Sequence, residues 1–281
     1  MTAPAAAPFD LAAIGQASAD RPYEVAADAI GAYAAATDDT SPAALEGRVA
    51  PPVFAVLPVW ETIAIASHAV ASDDIRKHVV HYEQDMVLHR PIEAGMALTS
   101  RATPIALLPR PNGTSLVVHT ETRAGDGGLV NEQYVTEFFR GVVAEEGIGE
   151  RAPDHRLEAE GDPDAEVRYP VALDQTVRYA DASGDHFAIH LDDEFARSVG
   201  LPGRIVHGLC TMAFTGRAVL ETAGVDDPAA VRRLAVRFSA PLFPGDTLTT
   251  RIWRLGGGAF GFDALDGEGR PVVKDGRAEL A

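Results

Sequence analysis

The chain repeats itself once, and the repeat limits what it can fold into. Ile30–Ala34 (IGAYA) is matched by Thr176–Ala180 (TVRYA), Leu45–Val49 (LEGRV) by Leu201–Ile205 (LPGRI), and Arg90–Leu98 (RPIEAGMAL) by Ala240–Leu248 (APLFPGDTL). The offsets, 30→176, 45→201 and 90→240, are 146, 156 and 150 residues, in unchanged order. Ordered matches at a nearly constant offset define two homologous units, so the fold must be one that each unit can adopt and two can share. Between the units, Ala144–Glu166 is acidic, rich in Gly and Pro and poor in apolar residues, which reads as a linker. The expected organisation is a mobile lead over 1–20, a first unit over 21–145, a linker over 146–166 and a second unit over 167–281.

Each unit reads as a helix followed by an antiparallel sheet, an α+β arrangement. In the first, Tyr23–Ala36 gives a strand and then an alanine-rich tract, and Val53, Val56, Leu57, Trp60, Ile63 and Ala64 share a helical face, with Pro58 forcing a kink or a late start. Strands are expected over 86–92, 96–108, 114–124 and 129–143, with a GDGG turn before the last. In the second, 231–242, 247–255, 258–265 and 271–280 read as strands, with DGEG as a hairpin turn.

The units differ where chemistry would sit. Tyr179–Phe214 puts Asp185, His190 and the His207-Gly208 pair into two loops around a short helix from Asp193 to Val199, capped by Asp192 and ended by Gly200 and Pro202. From Leu209 a second, buried helix runs to a stop at Gly224, so the second loop delivers Gly208 to a helix N-terminus, where free N–H groups can hold developing negative charge. In the first unit Thr37-Asp38-Asp39 stands in place of Ser183-Gly184-Asp185, no histidine matches His190, and Pro51-Pro52 replaces His207-Gly208. Only the second unit is equipped for acid–base work.

Charge narrows the ligand classes. Twenty-four Lys and Arg against 41 Asp and Glu give a net charge of -17, which argues against general affinity for nucleic acid or an anionic membrane. The single cysteine, Cys210, reads as a core residue and fits a reducing compartment. The N-terminal sequence does not read as a secretory signal, and no stretch of about eighteen uninterrupted apolar residues occurs, so a soluble cytoplasmic protein is expected. Histidines 68, 78, 81 and 89 have no metal-ligand spacing and are assigned no function.

The run SGDHFAIH followed by GRIVHG resembles the MaoC-like hydratases, the R-specific enoyl-CoA hydratase (hydratase 2) family, whose motif runs SGDxNPIH with a later HG. With the repeat, the resemblance extends over nearly the whole chain and implies a double hot-dog fold, each unit an antiparallel sheet wrapped around a central helix. It implies Asp185 and His190 as the catalytic pair and the Gly208 N–H as oxyanion donor. The implied reaction is syn addition of water to a trans-2-enoyl thioester, or its reversal, with no metal or redox cofactor and coenzyme A present only within the substrate. Ser183 and Gly184 read as turn residues supporting Asp185, and His207 either packs at the helix start or touches substrate. Phe187-Ala188 departs from the family's Asn-Pro, which bears on water placement and substrate preference. Arg204, Arg233 and Arg237, with Arg232 nearby, form a candidate phosphate site, Arg233 and Arg237 sharing one strand face. A dehydratase acting on an acyl carrier protein, a thioesterase, or a non-catalytic thioester-binding subunit are the alternatives. Two units in one chain allow a monomer, and a homodimer is also open.

Overall fold

The computed structural model describes residues 8–159 and 161–281. Its strands are β1 (Arg21–Glu24), β2 (Val79–Leu88), β3 (Ala97–Arg110), β4 (Gly113–Ala124), β5 (Leu129–Arg140), β6 (Ile148–Gly149), β7 (Ala165–Pro170), β8 (Val231–Phe238), β9 (Thr247–Gly256), β10 (Ala259–Leu265) and β11 (Pro271–Leu280). The helices are α1 (Ala27–Ala36), α2 (Pro42–Leu45), α3 (Trp60–Val70), α4 (Asp73–Arg76), α5 (Gln175–Ser183), α6 (Asp193–Ser198) and α7 (Gly208–Ala223).

All strands join one 11-stranded antiparallel sheet in the order β1-β3-β4-β5-β2-β8-β11-β10-β9-β7, with β6 added beside β3. The order is palindromic: β1, β3, β4, β5 and β2 of the first unit correspond to β7, β9, β10, β11 and β8 of the second. The units meet where β2 pairs with β8, and Asp85 lies opposite Ala235, its own counterpart in the repeat (85 + 150 = 235). A pseudo-two-fold axis therefore runs through the seam. A second contact marks the same relation, because the hydroxyls of Tyr33 and Tyr179, 146 residues apart and both fully buried, hydrogen-bond at 3.0 Å.

Each unit wraps its half of the sheet around a central helix. In the second this is α7, whose Leu209, Met212, Phe214, Val219 and Leu220 are buried, ending at Gly224 in the left-handed region (φ 71°) that favours glycine. In the first, Pro58 delays the α-helix as expected: Pro52–Val59 is a 3-10 helix and the α-helical α3 begins at Trp60. By length and composition alone Pro52–Val70 could cross a membrane, with mean hydropathy 1.6, but here it packs against β3, β4 and α7 as core. This is the double hot-dog architecture.

Three expectations need correction. Residues 1–7 of the presumed mobile lead lie outside the described residues, but 8–20 are packed: Phe9 is buried edge-on against Phe139 and pairs with Ala71. The linker is a strap over the sheet. Ile148–Gly149 adds to β3, and the buried His155 donates its Nδ1–H to the Asp275 carbonyl at 2.6 Å. The second unit's first strand starts at Ala165, inside the expected linker. Isolated apolar and polar anchors in an acidic segment give no periodic signal, which is why composition hid them. Finally, β2 begins at Val79, seven residues before the expected Met86, because its buried positions include Gln84 and Asp85.

Each of those two buried side chains has a polar partner, although the Gln84 Oε1 accepts no hydrogen bond among the described residues. Gln84 donates to Gln133 at 2.8 Å, and Gln133 donates to the Ala55 carbonyl at 2.7 Å. Asp85 takes two hydrogen bonds from the Arg233 guanidinium across the seam, at 3.0 and 2.7 Å. Removing one partner of a buried pair leaves the other charged and undersolvated, so Asp85→Ala should lower the unfolding free energy by about 3–5 kcal/mol, read from urea denaturation. An Asp85→Ala/Arg233→Met double variant should recover most of that loss.

Candidate active site

The site forms where two loops of the second unit meet. The first begins as α5 ends: Gly184 takes a left-handed conformation (φ 79°) and donates to the Ala180 carbonyl at 2.8 Å, turning the chain so that Asp185 leaves the helix. The Asp185 N–H donates to the Ser183 Oγ at 3.2 Å, and its carboxylate receives the Phe187 N–H at 3.2 Å. Ser183 and Gly184 thus build the turn that holds Asp185. A single 3-10 turn, Ala188–His190, brings His190 back inward, where it is buried.

Asp192 then caps α6, accepting from the N–H groups of Glu194 and Phe195 at 2.8 and 3.0 Å. The second loop returns beside the first. Ile205 donates to the Ile189 carbonyl at 3.1 Å and Val206 to the Leu242 carbonyl at 2.8 Å, which sets His207 and Gly208 next to His190.

The tautomers come from these contacts. His190 donates Nδ1–H to the Ile205 carbonyl at 2.8 Å, leaving Nε2 as its basic nitrogen. His207 donates Nε2–H to the Asp185 carbonyl at 2.9 Å and stacks on the His190 ring, centroids 3.8 Å apart and planes 24° apart. A carboxylate oxygen of Asp185 and one nitrogen of each imidazole lie within 4.8 Å of one another. His207 therefore packs at the helix start and pins the Asp185 loop, while its buried Nδ1 has no partner among the described residues. These three residues are the group among the described residues that could offer donors to a cation.

Burial dominates the electrostatics. It lowers the pKa of His190 below the ordinary imidazole value, while the Ile205 carbonyl and the Asp185 charge oppose the shift. His207 is pushed down to about 3 by burial and by His190 beside it. Both rings are neutral near pH 7.

Gly208 opens α7, and the first N–H groups of a helix have no intrahelical partner. A Cβ on Gly208 would sit 3.2 Å from two ring atoms of Phe238, so this close approach favours glycine. Next to this site, a cleft is lined by Tyr179, Ser183, Asp185 and Leu209 on one side and by Val56 and Trp60 of the first unit on the other.

Not every expected residue joins the site. Arg233 is committed to Asp85, with Glu279 also at 3.7 Å, and Arg237 to Asp275 at 2.7 Å, so neither guanidinium is free for a phosphate. Arg204 donates from its guanidinium to the Leu173 carbonyl at 3.2 Å and has no carboxylate partner among the described residues. Phe187 is 55% exposed and packs edge-on with Phe195, 6.1 Å between centroids, outside the cleft lining. Sequence reasoning missed Val56, Trp60, Phe238 and His81. His81 lies edge-on to Phe238 at 5.1 Å, its Nε2 buried without a partner among the described residues and its pKa lowered to about 4, mainly by burial. Only the repeat could have pointed to them, since pairing the units turns the first unit's helix toward the second unit's loops.

The MaoC like domain family matches residues 156–273, and the FAS1-like, dehydratase domain region matches residues 12–133. A 3-hydroxyacyl-thioester dehydratase of Mycobacterium tuberculosis is 33% identical over 210 residues, 72% of each chain. An enoyl-CoA hydratase of the same organism is 30% identical over 215 residues, again 72% of each. The crystal structure of a MaoC-like dehydratase from Phytophthora capsici superposes with a TM-score of 0.85 at 26% identity, covering 97% of this chain and 99% of that one. With its tandem hot-dog units and the Asp185–His190 site, the chain belongs to the MaoC-like dehydratase family.

The neutral imidazoles of His81, His190 and His207 have a consequence for acid stability. Unfolded, each titrates near 6.5, while in the fold His207 resists protonation to about 3 and His81 to about 4. Between those values the unfolded chain binds more protons, so these groups make stability rise with pH through the window. The melting temperature should fall as pH is lowered from 6.5 toward 4, and His81→Phe should flatten that fall.

Proposed function

We infer that the protein is a hydro-lyase that adds water reversibly to trans-2-enoyl thioesters, giving (3R)-3-hydroxyacyl thioesters. The observation that carries this reading is the free, unprotonated Nε2 of His190 beside the Asp185 carboxylate, at the open N-terminus of α7. Water held between the two would lose a proton to the pair as its oxygen attacks C3. The Gly208 N–H would hold the enolate charge forming on the thioester oxygen, a donor of a kind worth about a hundredfold to a thousandfold in rate. The proton taken from water is then returned to C2 on the same face, so one water is consumed and the pair is reset. His207 supports both partners through its bond to the Asp185 carbonyl and its stack on His190.

The substrate we propose is a coenzyme A thioester. The net charge of -17, with Arg233 and Arg237 neutralised by carboxylates, does not suit docking of an acidic carrier protein. Arg204 supplies one cation for a phosphate. Because the second unit finds its partner within the same chain, a monomer is enough to build the site.

Purified protein with crotonyl-CoA should show loss of the conjugated enoyl absorbance and yield the (3R) alcohol. Asp185→Asn and His190→Ala should each lower kcat by about a hundredfold to ten-thousandfold, the usual worth of a positioned acid or base. The acidic limb of kcat/KM should fall below pH 6.5, because the His190 pKa is lowered. Tight thioester binding without turnover, or release of free thiol, would sink the assignment.

A further inference from the structure

The cleft beside Asp185 has one wall that the catalytic unit does not supply. Val56 and Trp60 belong to the first unit, and Trp60 sits where the 3-10 helix gives way to α3, a position set by Pro58. Its indole is 39% exposed at the cleft, an unusual place to leave a large aromatic side chain. Opposite stand Leu209, which follows Gly208 directly, and Tyr179, whose fully buried hydroxyl is fixed on Tyr33. The free volume within the cleft is about 10 Å³, space for about one water. Pockets for drug-sized ligands span roughly 300–1,000 Å³.

The repeat provides an internal comparison. The first unit's counterpart cleft is lined by Thr37, Asp39, Pro51 and Pro52, the counterparts of Ser183, Asp185, His207 and Gly208. Its opposite wall carries Gly216 where the catalytic cleft carries Trp60 (60 + 156 = 216). With glycine at this position the counterpart cleft has no aromatic wall among the described residues.

We propose that Trp60, a residue of the first unit, sets acyl-chain length at the catalytic site of the second and restricts it to short trans-2-enoyl thioesters. The proposal rests on the hydro-lyase reading. The substrate's reacting carbons lie between Asp185, His190 and Gly208, and the acyl tail beyond them runs toward the Val56–Trp60 wall. Each added methylene then meets the indole.

The test measures kcat/KM for crotonyl-, octenoyl- and dodecenoyl-CoA on the full chain, as wild type, Trp60→Ala and Trp60→Phe. A ratio between substrates is insensitive to the fraction of protein folded, so loss of stability cannot imitate a change in it. Wild type should favour crotonyl-CoA. Trp60→Ala should raise the dodecenoyl-to-crotonyl ratio by about tenfold or more, within the range a few methylenes command in an apolar pocket, with Trp60→Phe in between. An unchanged ratio in both variants, with all three substrates falling together, would set Trp60 against the invariant pantetheine arm and overturn the proposal. So would a wild type that takes dodecenoyl-CoA as readily as crotonyl-CoA. Absence of turnover with all three in the wild type would instead defeat the hydro-lyase reading, and this proposal with it.

Discussion

The pairing of β2 with β8 makes two units into one molecule, and the site depends on it. Along this seam the repeat's equivalent residues face each other, and Asp85 lies buried opposite a small Ala235 while Arg233 reaches in from the same neighbouring strand to neutralise it. The two central helices are brought together by the same relation. Val56 and Trp60 face Asp185 because the first unit's helix is carried across the seam, and the Tyr33–Tyr179 bond fixes α1 against α5. Neither unit by itself lines the cleft beside Asp185.

Symmetry in the backbone sharpens the asymmetry in chemistry. Asp38 adopts a positive φ of 50° at the position where the second unit has Gly184 at 79°, so the turn itself is kept. Its strain is met by Arg178, which donates to the Asp38 carboxylate at 2.8 Å. Past the turn, the two units diverge. The Asp39 carboxylate accepts the Ser41 N–H at 2.7 Å, and no imidazole stands beside it in the counterpart cleft. Pro52 takes the place of Gly208, and proline has no N–H with which to hold an oxyanion. The first unit keeps the shape of a site and serves as a wall for the other.

The features legible in the sequence are those that are local or repeated. The Gly184 turn, the Asp192 cap, the start of α7 at Gly208 and its stop at Gly224 are decided by neighbouring residues, and short spacing is enough to read them. The two-unit fold is legible because its elements recur in order. Trp60 reads as core by its spacing and yet stands at the cleft, since its role depends on a contact with residues more than a hundred positions away. Arg233 and Arg237 resemble a phosphate site by strand alternation. Their carboxylate partners, Asp85 and Asp275, come from other strands, and a net count of charge cannot assign partners. The strap over 146–159 is hidden because a few anchors, His155 among them, hold a segment whose composition is that of a free chain.

The palindromic strand order also decides what lies at the rims of the sheet. Both terminal strands are the opening strands of their units, β1 and β7, and both are short. Each carries exposed charge, Glu24 in one and Glu166 and Arg168 in the other, and each includes an exposed proline, Pro22 or Pro170, with no amide proton to offer a newcomer. An extended sheet with unguarded rims would be a template for polymerisation. Here duplication placed the same guard at both ends, which disfavours strand-by-strand addition of another copy along these margins.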